Sequence, residues 1–212
     1  MCSGRVDLEF ILRAFLKGQD GVFIGGCRLD ECNYITHGNY DALANVYLCR
    51  KIMEHIGLNP ERLRIEFMSG ADGGLLAEVT NDFTNKVKEL GPLGKSEGID
   101  ENELKFKLEA VSKLVPYIKL VERERLRVPS KSEDEYNKFF TSDEVNSLFD
   151  ELIGDKLTIS QIMLLLREKP LPTGEISEIL GINPSEVSRH MNSSSRQGLV
   201  RYDETRKCFA LA

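Results

Sequence analysis

Cys27 and Cys32, spaced Cys-x4-Cys, stand directly after the short apolar run Gly21-Val-Phe-Ile-Gly25, and Cys2 adds a third thiol in Met1-Cys-Ser-Gly-Arg-Val-Asp7. Thiolates are the usual ligands of iron–sulfur clusters and of zinc. A strand that ends in Gly25-Gly26 lets the backbone turn tightly, so that two thiolates can face a common centre. The spacing alone leaves a second reading open, two half-buried thiols with no ligand, because free cysteine is among the most buried residue types. Three sulfurs do not complete a four-ligand site. The expectation is therefore that further ligands come from outside the chain, upstream of Cys2.

The remaining chemistry-bearing residues offer less. Cys49 falls on the apolar stripe of a predicted helix, which points to core packing, and Cys208 falls in a predicted strand near the C-terminus, a structural position. His37 is close enough to the cysteine loop to donate to a bound sulfur, or is simply an exposed loop histidine. His55 and His190 lie on predicted helices and receive no role. No Ser/His/Asp or Cys/His constellation is visible. Ser69-Gly-Ala-Asp-Gly-Gly74 could cradle a phosphate at a helix N-terminus. It matches neither a P-loop nor a dinucleotide fingerprint and reads as a helix-opening turn.

These residues must be held by a fold, and the composition allows one. At 212 residues, with 41% hydrophobic and 29% charged side chains, the chain has the make-up of a globular protein with room for two or three domains. A net charge of −6 argues against the whole molecule being an electrostatic nucleic-acid binder. No apolar run approaches the roughly 18–20 residues needed to span a bilayer, and no basic segment followed by an apolar stretch marks a secretion signal. Five cysteines are too few, and odd in number, for a disulfide scaffold of this length. A reducing cytoplasm is the expected compartment.

Residues 7–17 place Leu8, Ile11, Leu12, Phe15 and Leu16 on one helical face, with Asp7 as N-cap and Gly18 past the end. Val22–Ile24 reads as a buried strand, Cys27–Gly38 as a loop, and Tyr40–Ile56 as a helix capped by Asn39. Leu63–Phe67 is a second strand, followed by a helix to about Leu90. Alternating helix and strand predict α/β architecture with a parallel sheet. Two strands are few for such a sheet, so residues 1–91 read as a partial domain whose front strands come from elsewhere.

Gly91–Gly98 has a linker's composition and introduces a helical connector over 92–153. Leu104, Leu108, Val111 and Val115 share a face there until Pro116 interrupts. A charged stretch through Glu122–Arg125 and Ser130–Glu135 reads as solvated, and Thr141-x-x-Glu144 as a capping box. Residues 154–212 form a third unit. Helices are predicted at Leu157–Arg167, at Thr173–Leu180 stopped by Gly181, and after Asn183-Pro184, then a hairpin of 199–202 with 208–211. That is a winged helix-turn-helix. Val187 and Met191 of its third helix face the core; Ser185, Glu186, Ser188, Arg189 and Asn192 face outward, where a DNA reader places base contacts. From Asp155 onward eight Lys/Arg face seven Asp/Glu, a balance unlike the basic footprint of a phosphate binder. A protein-docking winged helix is the preferred reading, with nucleic acid not favoured.

At Met1–Asp7, at Gly21-Val-Phe-Ile-Gly-Gly-Cys-x4-Cys-x-Tyr34, at Gly38-Asn-Tyr40 and through Asn59-Pro-Glu-Arg-Leu-Arg64, the sequence resembles the delta subunit of methyl-viologen-reducing hydrogenase. The resemblance covers roughly the first ninety residues. It implies an iron–sulfur subunit carrying electrons from a hydrogenase or dehydrogenase partner to the flavin-containing subunit of a heterodisulfide reductase complex. It further implies a [2Fe–2S] cluster, with Cys2, Cys27 and Cys32 matching family cysteines as candidate ligands. The chain departs from the family pattern at Arg28–Glu31, where relatives have a His-Pro-Gly-containing loop. It also lacks a front segment bearing the Cys-x-x-Cys motif that the resemblance implies, for which a separate upstream companion polypeptide, a reading frame cut at a recoded or misread codon, and a mis-assigned start are the three explanations. The competing expectation is a redox- or metal-responsive winged-helix regulator of transcription.

Overall fold

Asp7 opens the first helix as the sequence predicts, its carboxylate accepting the N–H of Glu9 at 3.0 Å, and α1 runs Leu8–Leu16. Leu8, Ile11, Leu12 and Phe15 are each at most 1% exposed, and burying such side chains stabilises by roughly 1.5–3 kcal/mol apiece. The computed structural model describes residues 2–34, 37–129 and 131–212. Met1 of the first motif, Ile35 and Thr36 of the predicted cysteine loop, and Ser130 of the charged stretch lie outside the described residues, as does the side chain of Asp30.

β1 (Val22–Gly26) extends two residues beyond the predicted strand and pairs in parallel with β2 (Leu63–Phe67), Val22 opposite Leu63 and Gly26 opposite Phe67. A Cβ on Gly26 would stand 2.9 Å from the Phe67 ring, so this strand end requires glycine. Helix α2 (Asn39–His55) packs on β2 through a face that includes Val46, Cys49, Ile52 and Met53. Its Arg50 donates twice to the Leu63 carbonyl, at 2.8 and 3.0 Å. Helix α3 (Gly73–Leu90) brings Phe83 within 5.7 Å of the Phe23 ring, centroid to centroid.

Three local expectations change. Helix α4 (Glu101–Arg125) does not stop at Pro116 but runs through it, with Leu108, Val111, Val115, Ile118 and Val121 buried on both sides of the proline. Packing against α1 outweighs the hydrogen bond that proline removes. The capping role given to Thr141 passes to Ser142, whose hydroxyl accepts the Val145 N–H at 3.3 Å between α5 (Glu133–Thr141) and α6 (Asp143–Phe149). Asn39 is the first residue of α2 rather than its cap; Gly38 holds the cap position, and the Asn39 side chain is engaged elsewhere.

The glycine-rich 91–98 segment is also bound more firmly than its composition predicts. Arg62, fully buried, donates to the carbonyls of Asp20, Leu90, Gly91 and Pro92, to Ser96 Oγ, and to both carboxylate oxygens of Glu97. Burial alone would raise the Glu97 carboxyl. Hydrogen bonds from Arg62, Ser96 and the Asn59 N–H, with the Arg62 charge, overcome it and hold the group at about 2. A depressed carboxyl contributes stability that is complete above its unfolded value near 4.5 and disappears as pH falls through about 2. Glu97→Gln is therefore expected to flatten the acid limb of a stability–pH curve between those values. Unaltered acid sensitivity in urea melts would refute that role.

Contacts divide the chain into two compact units, Met1–Leu148 and Phe149–Ala212. The second unit opens with one π-helical turn, Asp150–Gly154, which leads into α7 (Asp155–Glu168), α8 (Thr173–Leu180) and α9 (Pro184–Arg196). Gly181, in the left-handed region at φ 65°, ends α8, and Asn183 Oδ1 accepts the Ser185 N–H at 2.8 Å to start α9, both as predicted. β3 (Val200–Asp203) and β4 (Cys208–Leu211) form an antiparallel hairpin, and Leu171 bridges to Phe209. Ile162, Leu166, Leu171, Ile176, Val187, Met191 and Val200 build the core. The architecture is α/β with a two-stranded parallel sheet in the first unit and a winged helix-turn-helix in the second. No helix among the described residues is long and apolar enough to cross a membrane.

Candidate functional site

Cys2 lies just ahead of α1, Cys27 immediately follows β1, and Cys32 ends the short 3-10 turn Leu29–Glu31. The fold brings them together. Cys2 Sγ and Cys32 Sγ stand 3.9 Å apart, and Cys27 is near enough to both for them to raise its thiol. The sulfurs are dressed with N–H donors: Gly4 N–H to Cys2 at 3.4 Å, the Asn39 amide to Cys27 at 3.6 Å, and the backbone N–H groups of Tyr34 and Asn39 to Cys32.

These donors sort the thiols. The Tyr34 and Asn39 N–H groups, helped by Cys27 and Cys2, hold the Cys32 thiol below its ordinary value against the opposing effect of desolvation. Partial desolvation raises the Cys27 thiol, and the neighbouring Cys32 and Cys2 sulfurs raise it further. Cys32 thus carries negative charge more readily than Cys27, in a set that a metal would deprotonate on binding.

Glycines allow the approach. A Cβ on Gly38 would lie 2.6 Å from Cys32 Sγ and 2.4 Å from the Tyr34 carbonyl oxygen, and one on Gly4 would lie 2.4 Å from the Gly38 oxygen. Asn39, 1% exposed, donates from Nδ2 to the Cys27 and Arg28 carbonyls at 2.9 and 2.8 Å, which fixes the loop to the start of α2. Its Oδ1 and the hydroxyl of Ser3 are buried with no hydrogen-bond partner. Such orphaned atoms cost about 1–3 kcal/mol each, and both belong to residues beside the cysteines. Clustered sulfurs, N–H donors aimed at them, a cradle that a Cβ would fill and the unpaired Ser3 hydroxyl, which can donate to sulfur, fit a sulfur-ligated metal group; Asn39 Oδ1, an acceptor, is not satisfied by one.

The profile of the family described as methyl-viologen-reducing hydrogenase, delta subunit, matches residues 1–91. Over 91 residues the chain is 43% identical to the vhu iron-sulfur subunit of the F420-non-reducing hydrogenase of Methanococcus maripaludis, covering 43% of this chain and 67% of that protein. The chain belongs to the methyl-viologen-reducing hydrogenase delta-subunit family. It is also 46% identical over 91 residues to the iron-sulfur subunit of the F420-non-reducing hydrogenase of Archaeoglobus profundus, 43% of this chain and 66% of that one. A third relative is a subunit of the ferredoxin/F(420)H(2)-dependent CoB-CoM heterodisulfide reductase of Methanosarcina acetivorans, 45% identical over 94 residues. That match covers 44% of this chain but only 12% of the reductase polypeptide. The profile described as bacterial regulatory protein, arsR family, matches residues 158–202 of this delta-subunit-family member.

Elsewhere the assignments divide. Cys49 is fully buried among hydrocarbon, which pushes its thiol up to about 12, and Cys208 is buried in β4. His37 is the exposed loop residue of the two alternatives, 86% exposed and paired with Asp41 at 3.2 Å. The Ser69–Gly74 turn opens α3, with Asp72 accepting the Ser69 N–H and the Arg28 guanidinium, both at 2.8 Å. Two features have little or no local signal in the sequence. The Asn39 clamp is hidden because asparagine before a helix reads as a cap. The buried His190 lies beside Asp155 and Glu186, and its only signal is the Glu186-x3-His190 spacing.

Proposed function

We propose that residues 1–91 are an iron–sulfur electron-carrying module in which Cys2, Cys27 and Cys32 hold a [2Fe–2S] cluster, with the remaining ligation supplied from outside this chain. The observation that carries this reading is the convergence of three cysteine sulfurs under backbone and Asn39 N–H donors. When bound, the cluster supplies one-electron redox chemistry. The chain's own part is to hold it and set its surroundings. The Tyr34 and Asn39 N–H groups lower the Cys32 thiol and so ease its deprotonation, and the amide of Asn39 fixes the Cys27 end of the loop. N–H groups directed at sulfur stabilise negative charge there and so favour the reduced state.

Electrons would pass between a hydrogenase or dehydrogenase partner and the flavin or iron–sulfur subunit of a heterodisulfide-reductase-type complex. The relatives, hydrogenase iron-sulfur subunits and a heterodisulfide reductase polypeptide, support that placement. The C-terminal winged helix docks a partner subunit. Its charge is nearly balanced, and Arg189 on the outward face of α9 is already paired with Asp155 at 3.0 Å. The arsR-family match favours a second reading, a DNA-reading regulator.

Cys27→Ser tests the main reading. Cys27 is exposed, so the variant is expected to fold and to co-purify with its partner subunits while losing the cluster's visible absorption and EPR signal. A normal spectrum and full iron content would overturn the assignment.

A further inference from the structure

In the second unit three metal-ligating atoms already converge on a single cation. One ligand atom each from His190, Asp155 and Glu186 lies within 4.8 Å of the other two, with His190 Nε2 3.8 Å from Asp155 Oδ1 and 3.7 Å from Glu186 Oε1. Glu186 and His190 are one turn apart on α9 and share a face, while Asp155 is the first residue of α7. The atom they surround is Nη2 of Arg189, which stands 3.0 Å from Asp155 Oδ1, 3.4 Å from His190 Nε2 and 3.9 Å from Glu186 Oε1.

An ion-pair network pinning α9 to α7 accounts for the Arg189–Asp155 contact. It engages the histidine too, but only through the long 3.4 Å hydrogen bond between His190 Nε2 and Arg189 Nη2. The His190 side chain is 3% exposed, yet its Nε2 faces two carboxylates at 3.7 and 3.8 Å, too far to hydrogen-bond to either. Tetrahedral zinc with bonds of about 2.0–2.1 Å needs ligand atoms roughly 3.3 Å apart, so those two separations need close by only a few tenths of an ångström. The guanidinium that fills the centre belongs to a side chain 59% exposed, so a metal that displaces it from Asp155 leaves it a path into water. An imidazole with two carboxylates selects borderline transition ions over magnesium or calcium, which prefer oxygen alone.

We propose that Asp155, Glu186 and His190 form a binding site for a divalent transition ion of the zinc type, which displaces the Arg189 guanidinium, with water completing the coordination. Loading leaves Arg189 unpaired on the outward face of α9. The site is independent of the cysteines and of the function proposed for them.

Cobalt(II) is the probe, titrated into the full chain carrying Cys2→Ser, Cys27→Ser and Cys32→Ser, so that thiolates cannot compete. One equivalent is expected to bind with visible ligand-field absorption and no sulfur charge-transfer band, and zinc is expected to displace it. Replacing buried His190 endangers the core, so the half-exposed residues carry the comparison. Glu186→Gln is expected to weaken binding at least about tenfold. Arg189→Ala, which removes the competing cation, is expected to tighten it, a response that a purely structural ion pair would not give. Failure of the Arg189→Ala chain to bind cobalt(II) stoichiometrically, or binding indifferent to Glu186→Gln, would overturn the proposal.

Discussion

Arg62→Met is expected to destabilise the first unit by roughly 3–5 kcal/mol, the cost of breaking a buried ion pair by removing one partner. The substitution keeps most of the hydrocarbon volume and deletes every polar contact of a side chain that is 0% exposed. Glu97, 7% exposed, would then be a buried carboxylate without its counter-charge. The carbonyls of Leu90 and Gly91 at the end of α3, and those of Asp20 and Pro92, would lose their shared donor. A lysine cannot replace the fork, since its three donors radiate from one nitrogen. Arg62→Lys is accordingly expected to recover only a minor part of the loss. Urea melts followed by far-ultraviolet circular dichroism measure both variants, and midpoints matching the parent would show that the network contributes little.

Gly38→Ala is expected to cut iron retention by roughly tenfold or more, the scale on which residues supporting metal ligands act. The added methyl would sit 2.6 Å from Cys32 Sγ and 2.4 Å from the Tyr34 carbonyl, and the nearer obstacle is backbone, which cannot swing aside. Accommodation must move the segment that carries Cys32, and with it the sulfur facing Cys2. The effect is local, so the thermal unfolding temperature should fall by far less than the iron content. Gly70→Ala is the control, because a Cβ there meets nothing within 4 Å. Equal iron content in the two alanine variants would show that the Gly38 approach does not shape the site.

Much of this is legible in the chain itself. The amphipathic stripe of α1 and its Asp7 cap, the Gly181 stop and the Asn183-Pro184 start are signals written within one turn of the residues they govern. The three cysteines are legible as a group because two of them follow β1 in one loop and the family motif supplies the third. What local patterns cannot give are the long-range competitions. Pro116 reads as a break until the helix is seen packed on α1. Asn39 reads as a cap until the loop carbonyls of Cys27 and Arg28 claim its amide. Gly91–Gly98 reads as a tether until Arg62, some thirty residues earlier, gathers it in. In each case a partner distant in sequence outweighs the local propensity.

The interior position of Cys49 bears on how the proposed cluster would be assembled. At neutral pH a thiol pushed up to about 12 stays protonated, and with no exposed surface it meets neither metal carriers nor peroxide. Loading machinery, oxidants and alkylating reagents therefore confront a smaller repertoire of sulfur than the five cysteines imply. Under the ligand set proposed above, concealment of Cys49 narrows the choice of sulfurs before Cys2, Cys27 and Cys32 are recognised.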